Sequence, residues 1–424
     1  MKHFLPLLLL LSICFSIQAQ TKLIKADAYL DVRTGELIEP ANILIEDGFI
    51  KSINPKTIPD DVEVMKLPGK ILLPGLMDMH VHLDLDYEGN FDYIYKESAS
   101  LGAIRAVRNA EKTLLAGFTT VRNLGQLHIS KELVVVAVAE ASDKAWIKAP
   151  RIIPAGHMIT IQGGHGDISS GLAEGLVHLD PEQGVINGKY DAIEAVRYQI
   201  KNGAKVIKIH ATSGVNSPEA TVGAQQLSEE EMLAIVEEAA RHEIKVAAHA
   251  HGTKGIIAAI KAGVYSIEHG SLIDDEGIQL MKEKGVYLVP TLGLNEKMKP
   301  YESKRDPKVL VKANYIKPLA KKNIEKAIKE GVNVALGSDA PLIPHGENAY
   351  ELTAMMEHGM TALEAIKAAT INPAKMLHLK DRGEIKEGLL ADVIAVDANP
   401  LDNIKTLETV KFVMKGGIVY KQEK

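Results

Sequence analysis

The sequence predicts an α/β protein: a (β/α)8 TIM-like barrel with a small β-sandwich domain that both chain ends form. Two patterns predict this fold. Between residues 73 and 380, strand-like apolar stretches alternate many times with helical stretches, as they do in a barrel of parallel strands. Outside that range, residues 20–72 and 381–424 show the apolar and polar alternation of short antiparallel strands.

The N-terminal segment, residues 1–19, is predicted to be a secretory signal peptide. It has a lysine near its start, an apolar stretch from Phe4 to Ile17 and a small residue at Ala19. This stretch is too short for a membrane span, so we expect a mature chain without one, located in the periplasm or outside the cell. The one cysteine, Cys14, lies in this segment, and the large residue before it argues against a lipoprotein signal. The mature protein would therefore have neither disulfides nor thiolate ligands.

The two chain ends are expected to pair with each other in the small β-domain. The first end has turn signals at Thr34-Gly35 and Asp47-Gly48, between short alternating stretches. The last end has two stretches of the same kind, "GEIKEGLLADVIAVDAN" and "VKFVMKGGIVYK". Pairing of these stretches would bring both termini together.

The region between the ends contains eight candidate barrel strands. In chain order they are "ILLPGLMDMHVH", "FTTVRNLG", "RIIPAGHMIT", "KVIKIHATSG", "IKVAAHAHG", "VYSIEHG", "VYLVPTL" and "NVALGSDA". Two of the intervening helices are marked by capping boxes, Ser228 with Glu231 and Thr361 with Glu364, the first predicted to end at His242. A doubly wound open sheet is the alternative fold, but no glycine-rich phosphate-binding motif follows the first strand.

Two long connections, residues 161–190 and 293–308, show no clear secondary structure in the sequence. Long loops at the active face of a barrel usually control substrate access, so we expect that role for both.

Composition limits the choice of partners. The chain has 424 residues and a formal net charge of -6, with acidic and basic residues interleaved. Its length suffices for one large domain and one small domain. Because no basic stripe is present, nucleic acid is not expected as a partner. A homo-oligomer is compatible with the sequence, which does not encode the oligomeric state in a readable form.

Residues that can bind metal or take part in catalysis lie where the candidate strands end, which is where barrel enzymes place their active sites. The first strand ends in "MHVH", and its two histidines share one face because strand residues two apart point the same way. Imidazoles and a carboxylate without thiolates suit Zn²⁺ or a similar divalent ion. The candidate residues at these strand ends are His80, His82, Lys208, His249, His251, His269 and Asp339.

Each of these residues also has an ordinary structural explanation. Fifteen histidines produce a His-x-His spacing by chance, and a barrel lysine such as Lys208 can pair with an acid. A histidine at a strand end can bond backbone groups, and Asp339 can be a helix N-cap. Their joint occurrence at the ends of strands one, four, five, six and eight favours a metal site.

On these motifs the chain resembles the amidohydrolase superfamily, metal-dependent hydrolases with a distorted barrel. The resemblance spans nearly the whole mature chain, from "PGLMDMHVHLD" to "INPAKMLHL" and "GLLADVIAVD". It is nearer to the imidazolonepropionase-related branch, which includes Xaa-Pro and Xaa-Arg dipeptidases and ochratoxin-cleaving amidases. The stretches that carry this nearer resemblance are "VIKIHATSGV", "VAAHAHGTKGI", "SIEHGSLIDDEG" and "LGSDAP".

The resemblance implies a centre of two divalent metal ions, with Zn²⁺ expected and Mn²⁺ or Fe²⁺ able to use the same ligands. His80 and His82 would bind the more buried ion, and His249 and His269 the more exposed one. Lys208 would bridge the two ions as a carbamate, formed when its neutral amine captures carbon dioxide.

The remaining site residues follow from the same resemblance. Asp339 would bind the buried ion and act as general base, passing its proton to the leaving nitrogen. His251 is the alternative to His249 as a ligand and is otherwise expected near the substrate. His165, in "GGHGD", would contact the substrate, although an ordinary loop histidine is nearly as good an interpretation. Arg122 could bind a substrate carboxylate, but a structural ion pair is the favoured role.

The function implied is hydrolysis of an amide bond in a dipeptide or an N-acyl amino acid by an exported dipeptidase-like or carboxypeptidase-like enzyme, with ochratoxin-type amides as further substrates. A cyclic amidase resembling imidazolonepropionase is the first alternative, and export argues against it. A mononuclear deaminase would lack the bridging lysine. The non-enzyme alternative is a periplasmic metal-binding or solute-binding protein, which would be expected to lack a metal ligand, and none is missing here.

Overall fold

The computed structural model describes residues 21–88, 90–217 and 219–423. The predicted signal peptide, residues 1–19, lies outside the described residues. Within the described ranges, no helix is both long enough and apolar enough to cross a bilayer.

Strands and helices alternate through the middle of the chain. The strands are β1 Lys22–Leu30, β2 Leu37–Ile38, β3 Ala41–Glu46, β4 Phe49–Ile53, β5 Glu63–Pro74, β6 Leu76–Val81, β7 Phe118–Asn123, β8 Arg151–Pro154, β9 Thr160–Ile161, β10 Val185–Ile186, β11 Ile207–His210, β12 Val246–Ala250, β13 Ser266–His269, β14 Tyr287–Val289, β15 Val393–Val396, β16 Phe412–Lys415 and β17 Ile418–Gln422. The α-helices are α1 Ala99–Leu115, α2 Val134–Asp143, α3 Lys189–Lys201, α4 Glu229–Ala240, α5 Thr253–Ala262, α6 Asp275–Lys284, α7 Leu294–Lys297, α8 Pro307–Lys329, α9 Tyr350–Glu357, α10 Ala362–Ala368 and α11 Ile371–Met376. Short 3-10 helices cover Asp92–Tyr95, Pro181–Gln183, Lys299–Lys304 and Ile404–Thr409.

Strands from both chain ends form one sheet, in the order β17-β16-β15-β5-β1-β3-β4, with β2 paired to β1. The neighbours are antiparallel except for β1 and β5. The β3–β4 turn lies at Asp47-Gly48, as predicted, and both residues have positive φ. A Cβ on Gly48 would lie 2.9 Å from the carbonyl oxygen of Gly416, so this turn needs glycine both for its backbone conformation and for its close contact.

The chain passes from this sheet to the barrel at a single glycine. β5 ends at Pro74 and β6 begins at Leu76. A Cβ on Gly75 would lie 2.3 Å from Oγ1 of Thr119 in β7. The Pro-Gly pair in the first barrel strand therefore allows a close approach between β6 and its neighbour, which positions the histidines that follow.

The predicted TIM-like barrel is confirmed, with an irregular eighth position. β6, β7 and β8 are parallel neighbours, and so are β11 to β14. Residues 334–340 occupy the eighth position without forming a regular strand. Isolated parallel bridges connect the two groups of strands on both sides: Ile159 with Ile209, Leu288 with Val334, and Val81 with Ala340.

The two predicted capping boxes are confirmed at Ser228 and Thr361. The helix after Ser228 ends at Ala240, two residues before the predicted end. Both long connections were expected to lack secondary structure, and this expectation is wrong. The connection 293–308 contains α7 and a 3-10 helix, and 161–190 contains a 3-10 helix and β10. Segments this short are too short for periodicity to be recognised in a sequence.

Candidate metal centre and active site

The polar residues predicted at the strand ends converge on one cavity of about 310 Å³. All of them except the half-buried His165 are buried, and lysine and aspartate are rarely buried without a partner. The cavity is lined by all of the predicted site residues: His80, His82, His165, Lys208, His249, His251, His269 and Asp339. Strand direction brings them together, because parallel barrel strands end at the same face.

One group of potential ligands consists of His80, His82 and Asp339. The Nε2 atoms of both histidines lie 3.4 Å from Oδ1 of Asp339. Asp339 has a φ of 55°, in the left-handed region, and its amide donates to the carbonyl oxygen of His80 at 2.7 Å. The backbone at the eighth barrel position therefore turns the carboxylate towards the two imidazoles.

Hydrogen bonds outside the centre orient these imidazoles. Nδ1 of His82 donates to the carbonyl oxygen of Gly125 at 2.8 Å. Nδ1 of His80 lies 3.1 Å from Oε2 of Glu268. In both residues Nδ1 has its partner behind the ring, so Nε2 faces Asp339 with its lone pair available, the arrangement typical of metal-bound histidines.

Glu268 belongs to a buried ion pair that sequence reasoning missed. Its carboxylate accepts a 2.8 Å hydrogen bond from Nη2 of Arg122, whose Nε donates to the carbonyl oxygen of Met79 at 2.6 Å. Burial raises the pKa of Glu268, but Arg122 and His80 outweigh that effect and lower the pKa to about 2. Arg122 therefore holds a charged carboxylate behind His80, which agrees with the ion-pair role favoured for it. The sequence feature that could have indicated this ion pair was the glutamate in the otherwise apolar strand "YSIEHG".

We expect Glu268→Gln to weaken metal binding by about 10-fold to 100-fold, because the neutral amide orients His80 less well and lowers its basicity. Equilibrium dialysis against buffered Zn²⁺ would measure the change. The control is Glu384→Gln, which removes a carboxylate from the ion pair with Arg33 in another part of the molecule. Equal Zn²⁺ affinity in the parent and the Glu268 variant would contradict the expectation.

A second group of potential ligands consists of His249, His251 and His269. Nδ1 of His269 lies 2.8 Å from Oγ1 of Thr291, and Nδ1 of His251 lies 2.8 Å from Oγ of Ser271. Nε2 of His249 is buried and has no hydrogen-bond partner among the described residues. A buried polar atom without a partner is costly, so this nitrogen fits a missing ligand such as a cation.

His210 is a site residue that sequence reasoning did not single out. It pairs with His249 across the β11–β12 register, and its Nδ1 donates to the carbonyl oxygen of His165. His165, His210 and His249 form a third group of nearby ligand atoms. The signal was the spacing of His210 two residues after Lys208 in the same strand, which places both on one face.

Lys208 is fully buried in β11 and lines the same cavity. Burial lowers its pKa to about 8, and Arg122 adds to the lowering, while Glu268 and Asp339 act in the opposite direction. A lysine with this pKa is neutral in about one molecule in ten at pH 7, and the neutral amine is the form that can react as a nucleophile.

The residues present fit divalent cations. Burial is the largest of the effects that lower the pKa values of these imidazoles. The pKa is lowered to about 4 for His80 and His251 and to about 3 for His165. For His249 and His269 the pKa lies well below the ordinary value. These rings are therefore neutral at pH 7, as metal ligands must be. Neutral imidazoles with a carboxylate and without thiolates are the donor set expected for Zn²⁺ and similar ions.

Two further buried carboxyl groups fix the loops that carry the site. Asp78 accepts hydrogen bonds from the His80 amide at 2.9 Å and from Oγ of Ser338 at 2.5 Å. Glu351 accepts from the amides of Leu292 and Gly293 at 2.6 and 2.7 Å. The hydrogen bonds of Asp78 connect the strand of His80 to the loop of Asp339, and those of Glu351 fix the segment after β14.

Comparison with known proteins identifies close similarities over nearly the whole chain. The Amidohydrolase family pattern matches residues 71–420. Ochratoxinase from Aspergillus niger is 36% identical over 420 residues, which covers 91% of this chain and 84% of that protein. Its crystal structure superimposes with a TM-score of 0.84 at 34% identity, covering 96% of this chain and 97% of that one.

Two further solved structures are also similar to this chain. A Xaa-Pro dipeptidase with methionine bound in its active site has a TM-score of 0.88 and 37% identity, covering 95% of this chain and 100% of that chain. A prolidase in complex with N-methylphosphonate-L-proline has a TM-score of 0.86 and 29% identity, with the same coverage. These similarities agree with the resemblance found in the sequence motifs and with the barrel fold.

Proposed function

This chain belongs to the amidohydrolase family, and we propose that it is an exported enzyme with two divalent metal ions that cleaves dipeptides or N-acyl amino acids. Family membership, with ochratoxinase and a Xaa-Pro dipeptidase as relatives, makes it a hydrolase of amide bonds. The observation that carries the finer proposal is the convergence of two groups of ligand atoms and a buried lysine on one cavity.

The residues divide between two ion positions. His80, His82 and Asp339 would hold the first ion, because their ligand atoms face one another. His249 and His269 would hold the second, with Zn²⁺ as the expected metal at both positions.

Lys208 would contribute a bridging carboxylate. Its neutral amine nitrogen would form a bond to the carbon of carbon dioxide and release one proton to solvent, which leaves a carbamate anion. Its buried position and its pKa of about 8 support this role, because an ammonium ion would repel two cations, whereas a carbamate attracts them.

When bound, divalent ions lower the pKa of water and polarise the substrate carbonyl group. Asp339 would accept the proton of the attacking water on a carboxylate oxygen and pass it to the amide nitrogen as the carbon–nitrogen bond breaks. Burial raises the pKa of Asp339, but His80, His82 and Lys208 together bring it below the ordinary value. The group is therefore an anion at neutral pH, ready to accept that proton.

The lining of the cavity favours a substrate with an apolar acyl group. Its lining includes the apolar and aromatic side chains of Phe91, Ile94, Tyr95 and Leu127 as well as the histidines. His165 and His251 would contact the substrate around the scissile bond. The bound methionine in the Xaa-Pro dipeptidase and the N-methylphosphonate-L-proline in the prolidase further support a substrate that contains an amino acid.

The test is a hydrolysis screen with purified protein loaded separately with Zn²⁺, Mn²⁺ or Fe²⁺. The panel contains dipeptides, N-acyl amino acids, ochratoxin A and cyclic amides, and released amino acids are quantified by chromatography. We expect amino acid release from dipeptides or N-acyl amino acids, loss of that activity after chelation, and recovery when metal is returned.

Two results would contradict the proposal. Bound metal without turnover of any amide in the panel would favour a metal-binding or solute-binding protein. Turnover of cyclic amides alone would favour the cyclic amidase alternative.

A further inference from the structure

A second cavity, of about 130 Å³, lies beside the metal-site cavity. The two cavities share Asn216, His251 and His269 as lining residues. The far side of the second cavity is formed by α8 and by Arg305, which comes just before this helix. A molecule that lies across the two histidines could therefore extend from one cavity into the other.

Arg305 differs from the other arginines of the chain in its lack of an acidic partner. No ion pair of Arg305 is found within residues 21–88, 90–217 and 219–423, whereas each other arginine pairs with a carboxylate. Its Nη2 donates to Oδ1 of Asn216 at 3.0 Å, and its Nε is buried without a hydrogen-bond partner in the described part of the chain. A buried donor without a partner carries a free-energy cost that a ligand can offset.

The neighbouring acid does not neutralise Arg305. The side chain of Asp306 caps helix α8 by accepting a hydrogen bond from the Lys308 amide at 2.7 Å. No carboxylate of the described residues therefore forms an ion pair with this guanidinium, which contacts Asn216 at the shared wall of the two cavities.

The loop that carries Asn216 is held in place by a buried lysine on the same helix. Nζ of Lys312 donates to the carbonyl oxygens of Ser217 and Glu219 at 2.5 and 2.9 Å, and to that of Gly214 at 3.3 Å. This lysine is occupied by backbone groups, and Arg122 is occupied by Glu268. Lys317 also lines the second cavity but is exposed there, whereas Arg305 contacts the shared residue Asn216 and has a buried donor left for a ligand.

We propose that Arg305 and Asn216 bind the α-carboxylate of the amino acid that the enzyme releases. Guanidinium groups bind carboxylates through charge-assisted hydrogen bonds, often in pairs. Asn216 uses its Oδ1 to accept from Arg305, so its Nδ2 remains to donate to the same carboxylate. This inference rests on the proposed function and adds that substrates need a free carboxylate on the leaving-group side.

The test compares the dipeptide that the parent enzyme hydrolyses fastest in the panel with the C-terminal amide of the same dipeptide. We expect the parent to prefer the acid by about 10-fold to 100-fold in kcat/KM, the range of one lost charge-assisted contact. Arg305→Gln should remove most of that preference, mainly through KM, and leave hydrolysis of the amide within about threefold of the parent. Arg305→Lys should retain part of the preference, because it keeps the charge but not the planar fork.

The control variant is Lys322→Gln, which removes a positive charge from an exposed position on α8 that does not line the second cavity. Inhibition by the released amino acid gives a second measurement that does not depend on turnover of the amide. We expect this inhibition to weaken in Arg305→Gln by the same factor as KM rises, and to stay unchanged in Lys322→Gln.

Several results would overturn the inference. Equal kcat/KM values of the parent enzyme for the acid and the amide would overturn it, whatever the variants show. Equal losses for both substrates in Arg305→Gln, or the same loss of preference in Lys322→Gln, would also overturn it. If no amide in the panel is hydrolysed, the proposed function itself fails, and this outcome is distinguishable from hydrolysis without preference.

Discussion

Asp339→Asn is expected to lower kcat by about 10²-fold to 10⁴-fold while metal remains bound. The amide side chain keeps the size of the carboxylate but cannot accept the water proton or return it to the leaving nitrogen, and a positioned acid–base group contributes rate factors of this size. The contact between the Asp339 amide and the carbonyl oxygen of His80 does not involve the side chain and should persist. Steady-state kinetics and metal analysis by mass spectrometry on the same samples measure both quantities.

The control is Asp275→Asn. Asp275 lies at the start of α6 and pairs with Lys326 at the surface, where loss of an ion pair costs little. We expect near-parent kinetics for this variant. Hydrolysis at the parent rate by metal-loaded Asp339→Asn would remove Asp339 from its general-base role.

Lys208→Ala is expected to lose activity and metal together. Without the bridging anion, the cluster of imidazoles would have only the Asp339 carboxylate to balance the charge of two cations. A short carboxylic acid such as propionate can occupy the space left by the side chain, so its addition should restore part of the metal content and part of the activity. Metal content, measured before and after addition of propionate, separates this effect from a change in chemistry alone.

Lys205→Ala serves as the control, because Lys205 is exposed just before the same strand. A second measurement detects the carbamate directly: the parent protein supplied with ¹³C-bicarbonate should show a carbamate carbon signal by NMR, and Lys208→Ala should not. Full metal content in Lys208→Ala without added acid would contradict the bridging role, as would a parent protein without the carbamate signal.

Most of the fold could be predicted because its signals are local. The capping boxes at Ser228 and Thr361 each lie within four residues, and both helices begin where these residues predict. The short helix α7 and the irregular eighth barrel position were not predicted, because neither is long enough to show periodicity.

The sequence by itself determined most of the residues that meet at the cavity, although it did not single out His210 or Glu268. His80 and His82 share a face because a strand has a period of two, and Lys208, His249, His269 and Asp339 join them because parallel strands end at one face of a barrel. These rules need only the position of each residue in its own strand.

Only the tertiary structure decided what each of these residues touches. His80 meets Glu268, which is 188 positions away, and Arg305 meets Asn216, which is 89 positions away. Such contacts depend on strand register and on how a loop packs against a helix, and no local pattern specifies either. The orientation of the imidazoles and the charge left free on Arg305 therefore follow from packing between distant segments.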